Sequence, residues 1–171
     1  MRQLPLLLTA VLIAVTLPLA FVSCGESDPK VLTDAATEAI QGRDFKAGLA
    51  GFESALTHMD AGHSQYMRAA LGRCVALAHV DAARGKDEFL KLANAEKSRL
   101  APADVHFVVS EYVKERQFGL AADIMAGAQA IFPKSKELQE IGNHVADAAL
   151  KAGDKAATSR LEGLGYVGTG K

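Results

Sequence analysis

Few side chains in the sequence have the types and spacing that metal binding requires. The one local group of candidate ligands is the stretch His58-Met59-Asp60-Ala61-Gly62-His63. Two imidazoles and a carboxylate can bind Zn²⁺, but zinc sites in proteins use at least three fixed ligands in characteristic spacings. The spacing here matches no such site. We therefore expect a polar loop at this position and predict no metal ligands.

Catalytic motifs are equally scarce. The sequence contains no glycine-rich phosphate loop, no GxSxG and no CxxC. Cys74 and His79 are five residues apart, so on a helix their side chains point about 140° apart and cannot share a metal ion. Cys74 is then a small core residue. Since no nucleophile–base or acid–base pair can be assigned, we predict a protein that is not an enzyme and uses no cofactor.

Composition narrows the class of partner. The chain has 171 residues, of which 49% are hydrophobic and 23% charged, and its formal net charge is −1. Without an excess of positive charge, it has no electrostatic attraction for nucleic acid or acidic membrane surfaces. Aromatic residues make up only 6% and tryptophan is absent, which argues against β-sandwiches and aromatic stacking platforms. The length suits one domain, and we predict no nucleic-acid partner.

The N-terminus has the pattern of a targeting segment. Arg2 is the only charged residue before Glu26, and the residues between them are almost all apolar. A positive start followed by an apolar core indicates a secretory signal. The stretch Leu4 to Val22 has 19 residues, so a retained membrane anchor is the alternative. Because Arg2 holds the N-terminus inside, both interpretations place the rest of the chain outside the cytoplasm.

The end of this segment carries a lipidation motif. The residues Phe21-Val22-Ser23-Cys24-Gly25 resemble the lipobox of bacterial lipoproteins. The resemblance implies cleavage before Cys24, acylation of Cys24 with chains such as palmitate, and a signal peptide over residues 1–23. Two or more acyl chains anchor a protein stably to a membrane. Gly25 provides no aspartate retention signal, so the outer membrane is the preferred location in the cell envelope.

The remaining chain divides into three parts. After cleavage, 171 − 23 = 148 residues remain, enough to bury about 68–70% of the unfolded surface without disulfides. We expect a polar tether at 24–30, a helical-repeat domain at 31–152, and a capping helix or tail at 153–171. Leu161, Leu164, Tyr166 and Val167 either dock this tail on the last helix or form a short recognition tail.

Helical periodicity runs through the chain from Val31 onward, which predicts an all-α fold. Turn signals lie at 42–44, 60–62, 84–86 and 100–102, with further breaks at Pro133 and Gly153. We expect Asp104 and Ser135 to cap the helices that follow them. The clearest helix, over 117–131, places on one face Phe118, Ala121, Ala122, Met125, Ala128 and Phe132.

Two segments share a repeated pattern of aromatic and small residues. It comprises Phe45, Gly48, Phe52 and Ala55 in the first, and Tyr112, Phe118, Ala121, Met125, Ala128 and Pro133 in the second. The pattern resembles tetratricopeptide repeats, and the middle segment, 64–100, matches it less well. The resemblance implies a short right-handed solenoid of three to four antiparallel helical hairpins, whose stacking creates a continuous core.

The same resemblance implies a binding surface on the inner, concave side of the first helix of each hairpin. The candidates that it places there are Lys30, Thr33, Thr37 and Gln41 in the first hairpin, and His106, Ser110 and Lys114 in the third, with Val75 and His79 from the middle one. The alternative for each of them is a solvated side chain with no partner.

The function that we predict is that of a membrane-anchored envelope adaptor, which binds a protein or peptide through the helical repeats. The alternative is a lipoprotein that binds a small ligand or a metal between its hairpins. The sequence predicts neither the identity of the partner nor an oligomeric state.

Overall fold

The computed structural model describes residues 28–166. Within this range the chain forms eight α-helices and no strand, which confirms the all-α prediction. None of these helices has the length and apolar character needed to cross a membrane. The predicted signal peptide, Cys24 and Val167 lie outside the described residues. The helices are α1 Pro29–Gln41, α2 Phe45–Thr57, α3 Tyr66–Val80, α4 Ala82–Ala95, α5 Pro102–Lys114, α6 Phe118–Ile131, α7 Lys136–Ala152 and α8 Lys155–Gly163.

Short polar side chains fix most of the helix starts. The carboxylates of Asp28, Asp44, Asp81 and Asp154 each accept a hydrogen bond from a backbone N–H in the first turn of the helix that follows. Ser135 caps α7 as predicted, since its Oγ accepts from the Leu138 N–H at 3.1 Å. These bonds satisfy donors that a helix start otherwise leaves unpaired.

The predicted cap of α5 is wrong. Asp104 is not the residue that precedes this helix, because α5 already begins at Pro102, and proline suits the first turn. The Asp104 carboxylate instead accepts a 2.8 Å hydrogen bond from the Ala101 N–H, one turn back. The aspartate still stabilises the helix start, but from inside the first turn.

The turn predicted at 84–86 is also wrong. Helix α3 ends at Val80, Asp81 connects it to α4, and residues 84–86 lie inside α4. The glycine there serves close packing rather than a turn. A Cβ on Gly85 would lie 2.7 Å from the Tyr112 hydroxyl oxygen and 2.9 Å from the Leu77 Cβ. Gly85 therefore lets α4 approach its neighbours closely.

The helices contact one another in a regular order. Each odd-numbered helix packs against the even-numbered helix that follows it, so that α1 pairs with α2, α3 with α4, α5 with α6 and α7 with α8. The odd-numbered helices also contact in series, from α1 through α3 and α5 to α7. Helix α6 contacts both α4 and α8. We call the solvent-facing sides of α1, α3, α5 and α7 the odd-helix face.

Small residues dominate the contacts between helices. Ala121 and Ala122 are buried on α6, as the periodicity predicted, and the core also holds the larger side chains of Phe89, Tyr112 and Met125. A smaller cluster of Ala36, Phe52 and Ala69 joins the first three helices. Because alanine leaves the backbones close together, each helix–helix interface is thin, and the fold depends on many such interfaces acting together.

The described part of the tail packs on the last helices. Leu161 and Tyr166 are fully buried. A Cβ on Gly142 would lie 2.2 Å from the Tyr166 ring, so the ring occupies the space that a side chain on α7 would need. The amides of Gln129 and Gln139 each donate a 3.0 Å hydrogen bond to the backbone of this segment, at Leu164 and Gly165. The tail up to Tyr166 thus covers the end of the helix stack.

Candidate functional site

A cleft of about 470 Å³ opens on the odd-helix face between α1, α3 and α5. We call it the apolar cleft, because most of the side chains that line it are apolar. Helix α3 lies beneath it, and its floor and walls include Ile40, Phe52, Met67, Leu71, Val75 and Phe107. Clefts of roughly 300–1,000 Å³ with apolar linings and a few polar groups are typical of ligand sites.

Two residues explain the shape of the apolar cleft. A Cβ on Gly72 would lie 2.4 Å from the Phe52 ring, so glycine allows this ring to pack directly on α3. Phe107 on α5 leaves 51% of its surface exposed, whereas the other apolar residues that line this cleft are buried or half-buried. Phe107 is therefore the most accessible apolar contact in this cleft.

Polar side chains beside the apolar cleft form hydrogen bonds and ion pairs with one another. The Arg68 guanidinium lies 2.5 Å from the Asp34 carboxylate and donates to the Thr37 hydroxyl at 3.3 Å. Hydrogen bonds from Lys30 and then Arg68 lower the pKa of Asp34 below its usual value. All of these groups are partly exposed, and solvent weakens such surface pairs. An incoming ligand can rearrange them at little cost.

A second pair of charges lies beside the apolar cleft. Arg99 donates to the backbone carbonyl of Ala61 and lies 3.3 Å from the Glu96 carboxylate. Asp104 is held by its bond to the Ala101 N–H. Two arginines thus line the apolar cleft, and each of them is already paired with an acidic side chain.

A second cleft, of about 410 Å³, lies between α5 and α7 on the same face. We call it the acidic cleft. It is lined by His106 from α5 and by Glu137, Glu140, Ile141 and His144 from α7. All four ionisable side chains are exposed, and within residues 28–166 neither glutamate forms a salt bridge. No three His, Cys, Asp or Glu side chains in this range are arranged to hold a metal ion.

His79 occupies a third polar site, at the junction of α2, α3 and α5. Its Nε2 lies 3.1 Å from Glu111 and its Nδ1 lies 3.1 Å from Glu115, while its ring stacks on Phe45 at 3.5 Å between centroids. The side chain is only 7% exposed. Because the two carboxylates approach opposite edges of the ring, the three groups cannot bind one metal ion. This cluster joins three helices.

The structure separates the predicted binding residues. Thr37 lines the apolar cleft and His106 lines the acidic cleft. Lys30 and Lys114 are exposed, but their ammonium groups lie 2.7 Å from Asp34 and 2.6 Å from Glu111. Gln41 is exposed at the end of α1, and Ser110 donates to the Phe107 carbonyl at 3.1 Å.

One predicted binding residue is wrong. Thr33 is fully buried, and its hydroxyl donates to the Pro29 carbonyl at 2.7 Å, one turn back. The bond satisfies the polar group inside the helix, so the side chain can be packed among apolar neighbours. Thr33 cannot contact a partner. Val75, which the repeat pattern placed on the inner side, is 2% exposed and forms part of the floor of the apolar cleft.

The sequence analysis did not predict several residues that line the two clefts. They are Met67, Arg68, Gly72, Arg99, Phe107, Glu137 and Glu140. The exposure of Phe107 could have been predicted, since this residue lies outside the apolar stripe of α5. That stripe is formed by Val105, Val108, Val109 and Tyr112. Arg68 gave no local signal, since its partner Asp34 lies 34 residues earlier in the sequence.

The thiol at Cys74 takes no part in these sites. Cys74 is buried, and burial raises the pKa of its thiol to about 12. The thiolate is the reactive form of cysteine, so this side chain is inert at neutral pH. Its prediction as a small core residue is confirmed.

No protein-family model, curated protein or solved structure matches this chain.

Proposed function

We propose that this protein is a bacterial lipoprotein, anchored to the cell envelope through Cys24, that binds a protein or peptide partner on its odd-helix face and catalyses no reaction. The observation that carries the proposal is the apolar cleft, with Phe107 half exposed at its edge. The lipid anchor rests on the lipobox-like residues before Cys24. It would keep the helical domain at a membrane surface, with the outer membrane preferred.

The spacing of contacts between neighbouring hairpins supports a tetratricopeptide-like solenoid. Side-chain contacts that join successive helix pairs are separated by similar lengths of chain. Asp34 and Arg68 are 34 residues apart, Glu53 and Arg84 are 31 apart, His79 and Glu111 are 32 apart, and Asp123 and Arg160 are 37 apart. A repeat of about this length, with odd helices in contact in series, is the pattern of stacked helical hairpins. In a right-handed solenoid of this kind, the odd-helix face would be the inner one.

The residue types in the apolar cleft suit a protein or peptide partner. The centres of protein interfaces are enriched in aromatic residues, methionine and arginine. The apolar cleft combines Phe107, Met67, Arg68 and Arg99. Met67 adapts to irregular shapes, and the two arginines can give up weak surface pairs to bind backbone carbonyls or carboxylates of a partner.

The volume of the same cleft favours one alternative, a small apolar ligand. About 470 Å³ is within the range of small-molecule sites. In that case the ligand would copurify with the protein and would be released on denaturation. Native mass spectrometry of the protein extracted in detergent separates the alternatives, because a bound small molecule adds a fixed mass that is lost after unfolding.

Site-specific photo-crosslinking in living cells tests the proposal. The photoreactive residue p-benzoylphenylalanine replaces Phe107 in one variant and Lys91 in the matched control. Lys91 is exposed on α4, an even-numbered helix. We expect discrete crosslinked protein bands from position 107 and none from position 91. Two results would contradict an adaptor that uses the odd-helix face. One is crosslinked bands from position 91 alone. The other is no band from either position together with a copurified small molecule.

A further inference from the structure

Two clefts of opposite character flank the same helix. His106 and Phe107 are successive residues of α5, so their side chains point about 100° apart. Phe107 lines the apolar cleft towards α3, and His106 lines the acidic cleft towards α7. The exposed ridge of α5 between them also carries Ser110 and Lys114. A chain that crosses this ridge would contact both clefts.

The acidic cleft carries negative charge that no salt bridge neutralises within the described residues. Glu137 and Glu140 lie one turn apart on α7, and within residues 28–166 neither is neutralised by a salt bridge. Like charges one turn apart on a helix repel each other. A cation placed between them would relieve this repulsion. Neither His106 nor His144, which also line this cleft, forms a salt bridge with these glutamates within residues 28–166, and Lys114 on α5 is already engaged with Glu111 at 2.6 Å.

In the described part of the chain, the apolar cleft holds one carboxylate outside a salt bridge, that of Asp104, which accepts the Ala101 N–H instead. Its arginines, Arg68 and Arg99, are each paired with an acidic side chain. Phe107 and the apolar floor are the contacts that remain open there. The apolar cleft therefore selects an apolar side chain, and the acidic cleft selects a positive one.

Helix geometry sets the distance between the two side chains that would be bound. Packed helices lie about 8–10 Å apart, and the two clefts are on either side of one helix. An extended peptide advances about 3.3 Å per residue and its side chains alternate between two faces, so two anchors on one face are best placed about two residues apart, at positions i and i+2.

We infer that the partner presents a short extended segment with two anchoring side chains at this spacing, in either order. One is an apolar side chain bound in the apolar cleft beside Phe107. The other is a lysine or arginine bound between Glu137 and Glu140. This inference rests on the proposed function, because it specifies the partner of the same odd-helix face. It commits the occupant to a protein segment of apolar and basic character.

Selection from a phage-displayed library of random peptides tests the inference. The target is the full protein, extracted from membranes and held in lipid nanodiscs. We expect enrichment of peptides in which an apolar residue and a lysine or arginine lie about two residues apart. In the double variant Glu137→Gln, Glu140→Gln, enrichment of the basic residue should fall roughly fivefold while that of the apolar residue persists. In Phe107→Ala the apolar preference should weaken instead.

The matched control removes two negative charges elsewhere. Glu38 on α1 and Glu162 on α8 are exposed and line neither cleft. The double variant Glu38→Gln, Glu162→Gln therefore has the same net charge as the test variant, and it should select the same peptides as the wild type. Equal thermal unfolding of both double variants establishes that the fold is unchanged.

The outcomes distinguish this inference from the function on which it rests. Enriched peptides with an apolar residue but no basic preference would overturn the inference and leave peptide binding in place. A basic preference that persists in the Glu137→Gln, Glu140→Gln variant, or that disappears in the matched control, would also overturn it. The absence of any enriched peptide would overturn the proposed function together with the inference.

Discussion

The hydroxyl of Tyr112 on α5 donates a 3.0 Å hydrogen bond to the backbone carbonyl of Ala82, the first residue of α4. Burial raises the pKa of Tyr112, so the hydroxyl stays protonated and available as a donor. The bond joins two successive hairpins across 30 residues of sequence. It is possible because Gly85, one turn along α4, has no side chain where the Tyr112 hydroxyl lies.

Gly85→Ala should therefore destabilise the protein, although alanine is the better helix former. The new Cβ would overlap the Tyr112 hydroxyl and Leu77, and this overpacking outweighs the gain in helix propensity, for a net loss of roughly 1–2 kcal/mol. Gly119→Ala on α6 is the matched control, because no atom lies within 4 Å of its added Cβ. Urea unfolding should show equal or higher stability for Gly119→Ala. Equal effects at the two positions would contradict the close packing at Gly85.

Removal of the Tyr166 ring should loosen the end of the helix stack. The ring is buried against Gly142, and Tyr166→Ala would leave a cavity that costs roughly 3–5 kcal/mol. Tyr66→Ala is the comparison, since Tyr66 is only half-buried at the start of α3. Thermal unfolding by circular dichroism should show a clearly larger loss for Tyr166→Ala. If the two variants melted alike, the tail up to Tyr166 would not be part of the folded core.

The His79 cluster should contribute more to stability than an exposed histidine. His79→Ala removes contacts with Glu111, Glu115 and Phe45, and we expect a loss of roughly 1–3 kcal/mol. His106→Ala is the control, because His106 is exposed in the acidic cleft, and its effect should be close to zero. Chemical denaturation measures both variants. A neutral His79→Ala variant would show that the cluster does not hold α2, α3 and α5 together.

Lipidation of Cys24 predicts two measurable changes in the variant Cys24→Ala. The wild-type protein should partition into the detergent phase, because its acyl chains bind micelles, whereas the variant should either stay unprocessed or move to the aqueous phase. Intact-mass measurement of the wild type should show a chain that begins at Cys24 and carries the mass of lipid. A wild-type mass with unmodified Cys24 would contradict the proposed anchor.

Local sequence patterns predicted the helices better than they predicted the surface. The apolar stripe of α6 and the cap at Ser135 were predicted correctly, because periodicity and capping depend on neighbouring residues. The turn at 84–86 was wrong because a glycine between charged residues has the same local appearance in a turn and at a close helix contact. Thr33 was wrong because its burial depends on tertiary packing, which the local helical pattern does not determine.

The two clefts could not be predicted from any single segment. The apolar cleft needs α1, α3 and α5 to meet, and its shape depends on Phe52 packing against Gly72. The acidic cleft needs α5 and α7 side by side, since His106 comes from α5 and its other lining residues come from α7. Pairs such as Asp34 and Arg68 give no local signal, because the two residues lie 34 positions apart in the sequence.

Mapping of a bound peptide by nuclear magnetic resonance tests the central claim most directly. The full protein, labelled with ¹⁵N and held in nanodiscs, is titrated with a peptide enriched in the library selection. We predict that the backbone signals that shift are concentrated at the two clefts, at Thr37, Met67, Phe107 and Glu140, while Lys91 on α4 stays unchanged. Shifts concentrated on the even-numbered helices, with Phe107 unaffected, would contradict binding on the odd-helix face.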